Sequence, residues 1–339
     1  MSSTRVSQPR HRRGNSIDSR GTPKQNKVAP NNRNKIDKTK SEDFEDLDVV
    51  KLISKAKFPV YLVFCPSNNE HYALKVFNFL ENKIHPYFAN EARFSFLNHP
   101  NIIKMILAQE KVAISTDENE PASSCLLMEY APNGDFFDFV RKNKQYIGEK
   151  LARTYFRQLI EGIEYLHLNG IWHLDLKLEN LLIGKDYQVK IADFDLSYII
   201  GDTEILTRGT QYYRSLELLA HKCKDGSSAD IYSAGVILFL MKTGGVIPHS
   251  EGSMFEGVDL LELLHTNTKL FFSKHCEIQE KEPSFFTDSF KELFLSMTKK
   301  DPKERATISD IKSSRWYNGP VYTKDELTKK MKFLLNHRT

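Results

Sequence analysis

From Leu47 onward the sequence changes from polar to patterned. Val49-Val50-Lys51-Leu52, Val60-Tyr61-Leu62-Val63-Phe64 and Tyr72-Ala73-Leu74-Lys75-Val76-Phe77 are short runs rich in β-branched and aromatic residues. They predict three strands, with Pro66-Ser67-Asn68-Asn69 turning the chain between the last two. A helix is predicted over Pro86–Leu97, followed by strand-like runs at Ile102–Ala108 and Ser124–Tyr130. Beyond Asn133-Gly134 the spacing becomes helical. Leu151, Tyr155, Leu159, Ile163 and Leu166 share one face of a helix predicted over Leu151–Asn169, and Gly170 stands where a C-terminal stop belongs. Leu181-Leu182-Ile183 and Val189-Lys190-Ile191 predict a hairpin. The longest apolar run, Ile231 to Met241, is broken by Ser233 and Gly235. It falls short of the ~20 residues a membrane span needs and predicts a buried helix. A strand-rich front and a helix-rich back predict an α+β fold in two lobes.

Residues 1–44 carry almost no large apolar side chains and predict a disordered leader. Residues 1–40 hold eleven Lys/Arg against two acids, leaving 37 basic and 42 acidic residues beyond. The basic excess of the chain (+4 overall) therefore lies in the leader, and the body is mildly acidic. We read the leader as solvated. Contact with nucleic acid or acidic lipid is the alternative, and Arg12-Arg13-Gly14-Asn15-Ser16 is a candidate phosphorylation site. Cys65, Cys125, Cys223 and Cys276 lie far apart without CxxC spacing, which argues against a disulfide framework or a cysteine metal site. The polar N-terminus has no secretory pattern. The expected setting is cytoplasmic, with nuclear as an alternative, and the expected state is a monomer. From Thr323 a capping pair (Thr323, Glu326) precedes Leu327, Met331, Leu334 and Leu335. This predicts a last helix docked on the back lobe, with autoinhibition as the alternative.

The chemistry concentrates in Trp172-His173-Leu174-Asp175-Leu176-Lys177-Leu178-Glu179-Asn180 and, thirteen residues on, Asp193-Phe194-Asp195. Phosphoryl transfer needs a carboxylate to orient the attacking hydroxyl, oxygen ligands for Mg²⁺, and cations near the transferring group. Asp175, Lys177, Asn180 and Asp193 supply that set, and the hairpin would return Asp193 to Asn180. Taken singly, Asp175 and Asp193 read more often as helix-cap or turn residues, and Lys75 as a solvated edge-strand charge.

Together these segments closely resemble the eukaryotic protein kinase family over roughly Leu47 to Trp316. The resemblance implies a kinase domain at 45–317 (N-lobe 45–131, an antiparallel sheet with one main helix; larger helical C-lobe 132–317) and a tail at 318–339. It implies ATP and Mg²⁺, with Asp175 as catalytic base, Lys177 beside the transferring phosphate, and Asn180 and Asp193 as metal ligands. Ala73-Leu74-Lys75 resembles the third-strand lysine motif, with Glu91 the implied partner of Lys75. Met128-Glu129-Tyr130-Ala131 resembles the gatekeeper and hinge, and Leu52, Val60, Ala73 and Leu182 complete the implied ATP site. His173, Asp230 and a Glu217–Arg305 pair are implied structural residues. Lys177, Glu179 and Thr210 favour Ser/Thr protein substrates, and the overall look is closest to the calcium/calmodulin-dependent or AMP-activated group. Acidic Asp135 and Glu179 at the implied cleft point to basic residues near the target hydroxyl.

Departures from that pattern shape the alternatives. Ile53, Lys55 and Phe58 stand where a glycine-rich loop has glycines, whose small size lets backbone approach phosphates; Lys55 and Lys57 are candidate compensating charges. Leu174 replaces the arginine that receives a phosphorylated activation loop, although Ser197, Thr203 and Thr207 are available acceptors. Asp195 replaces the glycine of Asp-Phe-Gly, and Ser215-Leu216-Glu217 stands for Ala-Pro-Glu. The interval from Glu91 to His99 is one residue short, predicting a trimmed helix or a shifted Lys75 pairing. The rival reading is a pseudokinase scaffold with little or no catalysis.

Overall fold

The computed structural model describes residues 47–55, 57–81, 83–112, 123–143, 147–202, 210–249, 254–255 and 258–336. The basic leader, Thr203, Thr207, Arg208 and Gly209 lie outside the described residues. Five strands, β1 (Asp48–Ser54), β2 (Val60–Cys65), β3 (Glu70–Asn78), β4 (Met105–Val112) and β5 (Ser123–Glu129), form one antiparallel sheet in the order β1-β2-β3-β5-β4. Lys75 sits on the central strand, opposite Val60 on one side and Leu126 on the other. Its side chain is buried, against Glu91 and Asp193.

Helix α1 (Pro86–Ala92) starts on His85, whose ring accepts a hydrogen bond from Tyr87 N at 3.2 Å, with Pro86 at the first helical position. It ends five residues before the predicted Leu97. The reason is local: Phe94, Ser95 and Leu97 donate to the carbonyls three residues back, a tighter winding than an α-helix. The strand expected from Ile102 starts only at Met105. Ile102 bridges to Ile191 instead, and Ile103 N donates to Ile191 O at 2.8 Å, stitching the sheet to the helical lobe.

The helical lobe holds α2 (Phe136–Asn143), α3 (Glu149–Leu168), α4 (Leu216–Leu219), α5 (Gly226–Thr243), α6 (Leu260–Thr266), α7 (Thr268–Ile278), α8 (Asp288–Met297), α9 (Ile308–Ser313) and α10 (Lys324–Asn336). Short pairs β6 (Ile171–Trp172) with β9 (Tyr198–Ile199), and β7 (Leu181–Ile183) with β8 (Val189–Ile191), carry the candidate chemistry. Helix α5 is the predicted buried helix. It starts on the Asp225 carboxylate, stops on left-handed Gly244 (φ 70°), and is hydrophobic on every side because other elements surround it. Among the described residues no helix is long and apolar enough to cross a membrane. At the chain's end Thr323 and Glu326 form the predicted capping box, and Leu327, Met331 and Leu334 pack into the main core.

Candidate active site

The β7–β8 hairpin closes as the sequence suggested, with Leu181 opposite Ile191. Just past it, Ala192 N donates to Asn180 O at 2.9 Å, which sets Asp193 beside Asn180. The chain enters this region through Leu174, a bulky residue held at φ 62°. That left-handed backbone is costly for a branched side chain. The buried carboxylate of Asp230, on α5, holds it in place by accepting from His173 N (2.9 Å) and Leu174 N (2.8 Å). His173 packs its ring against Phe194 at 5.0 Å and bonds through Nε2 to Ala192 O. The Asp230 and His173 positions are structural, as the sequence implied.

Asp175, Lys177, Asn180 and Asp193 line one cavity of about 930 Å³ together with Lys75 and Glu91. Lys75 Nζ lies 2.6 Å from Glu91 Oε2 and 2.5 Å from Asp193 Oδ1. The shortened interval after Glu91 thus trims the helix without shifting the pairing. Burial alone would lower the Lys75 pKa, but the carboxylates of Glu91, Asp193 and Asp195 outweigh it and hold the ammonium above its ordinary value. Burial raises the Glu91 carboxyl against the pull of Lys75. Burial also opposes ionisation of Asp193, yet Lys75, with Lys177 and His173, leaves its carboxyl below the ordinary value.

Asp175 is held at both carboxylate oxygens. Lys177 Nζ is 2.5 Å from Oδ2, Asn180 Nδ2 donates to the same oxygen at 3.2 Å, and Thr210 N donates to Oδ1 at 3.2 Å. The amide nitrogen of Asn180 is turned to Asp175, and Asn180 and Asp193 line the same cavity. Among the described residues no three His, Cys, Asp or Glu side chains converge as a metal cage. The carboxylate of Asp193 and the amide oxygen of Asn180 are donors of the kind Mg²⁺ takes when nucleotide phosphates and water would supply the rest of its shell.

The apolar end of the cavity is walled by Val60, Ala73, Met128, Ala131 and Leu182, with Glu129 at its rim. Glu129 is tied by Lys190 Nζ at 2.9 Å and by Lys104 N at 2.7 Å. Leu52, expected in this wall, does not line it; Ile53 and Ser54 do. Pairing with β2 slips between Leu52 and Ser54, and the irregularity presents Ile53 to the cleft. Asp135 and Glu179 also line the cavity. Each has a structural job as well: Asp135 caps α2 by accepting from Asp138 N at 2.8 Å, and Glu179 accepts from Tyr213 Oη at 3.2 Å.

Asn90 and Arg93 were not singled out from the sequence. Asn90 Nδ2 donates to the carbonyls of Asp195 (3.0 Å) and Ser197 (2.9 Å), and Arg93 grips both oxygens of Asp202 at 2.8 and 3.1 Å. Their one sequence signal is closeness to Glu91, Asn90 just before it in α1 and Arg93 at the cap of that helix. Farther off, Arg305 makes the implied two-pronged pair with Glu217 at 2.6 and 3.1 Å.

The family model described as protein kinase domain matches residues 57–317. CBL-interacting protein kinase 11 of Oryza sativa subsp. japonica is 32% identical over 230 residues, covering 66% of this chain and 41% of that protein. The probable serine/threonine-protein kinase MARK-B of Dictyostelium discoideum is 32% identical over 310 residues, 88% of this chain and 40% of that protein. CBL-interacting serine/threonine-protein kinase 8 of Arabidopsis thaliana is 37% identical over 195 residues, 57% of this chain and 40% of that protein. The chain thus spans less than half the length of these relatives. They fit the group suggested by the sequence, calcium/calmodulin-dependent or AMP-activated.

Proposed function

Because the chain belongs to the protein kinase family, we propose that it transfers the γ-phosphate of Mg-ATP to Ser or Thr hydroxyls of protein substrates. The reading is carried by the meeting, in one cavity, of the Lys75–Glu91–Asp193 ion pairs with Asp175, Lys177 and Asn180. Val60, Ala73, Met128 and Leu182 would enclose the adenine, and the backbone of Glu129–Ala131 would hold its edge. Lys75, fixed by Glu91, binds the α- and β-phosphates. Asp193 and Asn180 hold Mg²⁺, which when bound offsets the negative charge that develops on the phosphates. Asp175 orients the attacking hydroxyl and accepts its proton, and Lys177 balances charge at the transferring group.

The substrates are proteins with basic residues near the target hydroxyl, drawn by Asp135 and Glu179. The kinase domain occupies 45–317, split after 131, and 318–339 is its docked tail. Four free cysteines suit a reducing compartment, cytoplasm or nucleus.

A second reading, a scaffold that binds nucleotide without catalysis, is favoured by one observation. Side chains replace glycines at the phosphate end, where Phe58 packs on Phe77 at 4.4 Å. Transfer of label from radiolabelled ATP to a basic generic substrate separates the two. For the enzyme, Asp175→Ala and Asp193→Ala each lower transfer at least about a hundredfold. No transfer by the wild-type chain, with nucleotide binding intact, establishes the scaffold.

A further inference from the structure

The turn between β1 and β2 meets the cavity with side chains in place of bare backbone. Phe58 anchors it, packing on Phe77 (4.4 Å), His85 (4.9 Å) and Tyr87 (5.9 Å). Beside it, Lys57 Nζ lies 3.1 Å from the centre of the Tyr87 ring and 2.7 Å from Asp195 Oδ2. The Lys57 side chain is 47% exposed and the Asp195 side chain 4%. Both line the same cavity as Lys75 and Asp193.

Two departures from the family pattern, a lysine in the turn and an aspartate in place of the Asp-Phe-Gly glycine, therefore touch each other. Their charges explain why they occur together. Asp195 adds a third carboxylate to Glu91 and Asp193 around Lys75, in a region that must accept a polyanion. Lys75 alone cannot balance three. An ammonium has three donors, and a flexible stem carries it. With one donor on Asp195 and its face on an aromatic ring, Lys57 has donors left for the open cavity.

We propose that Lys57 is a phosphate-contacting residue for a bound nucleoside triphosphate, held over the cleft by Asp195 and Tyr87. It performs with a side chain what backbone N–H groups do in a glycine-rich turn. The inference rests on the nucleotide-binding reading above and adds a residue to it.

The test is calorimetric titration of the full chain with ATP and, separately, with adenosine, both in EDTA so that no metal bridges the phosphates. The wild-type chain binds ATP more tightly than adenosine. Lys57→Met weakens ATP at least tenfold and leaves adenosine unchanged, while Lys57→Arg keeps most of the ATP affinity. Equal ATP affinity in Lys57→Met and wild type overturns the assignment and leaves the kinase reading standing. Loss of adenosine together with ATP also overturns it, since Lys57 would then shape the turn and not the phosphate contact. A wild-type chain that binds neither ligand overturns the nucleotide reading itself.

Discussion

At the scale of single residues, the close contacts rank the positions that tolerate no change. A Cβ added to Gly226 would sit 2.5 Å from the Trp172 ring. That ring is partly buried and stacked on Tyr198 at 4.8 Å with planes 9° apart, so moving aside would disturb the stack. Gly226→Ala should therefore cost roughly 1–3 kcal/mol, the usual penalty for overpacking. It should lower the thermal midpoint by several degrees, and an unchanged midpoint in a melting curve refutes the contact. Arg305 presents a different case. Its side chain is 1% exposed, and its guanidinium bonds Glu217, Ser228 O and Lys299 O. Arg305→Ala leaves the partly buried Glu217 carboxylate without its partner, at a cost of up to about 3–5 kcal/mol. Glu217→Gln keeps a hydrogen-bond acceptor and should cost less. Chemical denaturation of both variants checks the order, and a milder loss in Arg305→Ala than in Glu217→Gln rules the account out.

Elements carry the next level of argument, because α1 and α10 each join distant parts of the chain. The tail helix α10 buries Leu327, Met331 and Leu334 in the main core, and Lys150 reaches Glu326 at 3.3 Å. Each buried apolar side chain contributes about 1.5–3 kcal/mol as an upper estimate. Removing residues 324–339 should thus destabilise the fold without raising activity. Higher activity in the truncated chain would make the tail an inhibitor. Much of this level was readable in advance: the Thr323–Glu326 capping pair and the apolar positions behind it lie within a few residues. So was the β7–β8 hairpin that sets Asp193 next to Asn180. What escaped reading has two causes. The end of α1 is set locally, by a tightening to i→i−3 hydrogen bonds after Ala92, whereas the start of β4 depends on a bridge from Ile102 to Ile191, 89 positions away. The wall residue moved from Leu52 to Ile53 through a slip in strand pairing that no local pattern marks. Lys57 and Asp195 each stood out as departures, yet only the folded turn put them in contact.

At the scale of the whole molecule, buried imidazoles tie stability to pH. His249 and His275 lie in the helical lobe, and burial lowers each to about 4, with neighbouring histidines adding to the effect at His249. His275 Nε2 donates to Pro248 O at 2.9 Å, a bond that favours the proton but is outweighed by burial, and His249 Nε2 lies 2.6 Å from Tyr232 Oη. In the unfolded chain a histidine takes its proton near pH 6.5. Between about 6.5 and 4 the unfolded chain therefore binds more protons than the folded one, and stability falls as pH drops. Each histidine contributes up to about 1.4 kcal/mol per pH unit to that slope. Glu91 works in the opposite direction. Burial, against the pull of Lys75, pushes its carboxyl up to about 7, so the folded chain takes that proton first on acidification. The lowered His85, His99 and His265 add to His249 and His275, against the raised carboxyls of Glu91 and Asp195, and the balance is a net loss of stability below pH 6.5. Urea unfolding of the full chain at pH 7.5, 6.5 and 5.5 should show the midpoint falling across the lower interval. His275→Gln should start lower at pH 7.5 and fall less steeply, since one titrating group is gone. If the variant and the wild type lose stability in parallel, His275 is not held neutral by the fold, and the acid sensitivity must come from elsewhere in the chain.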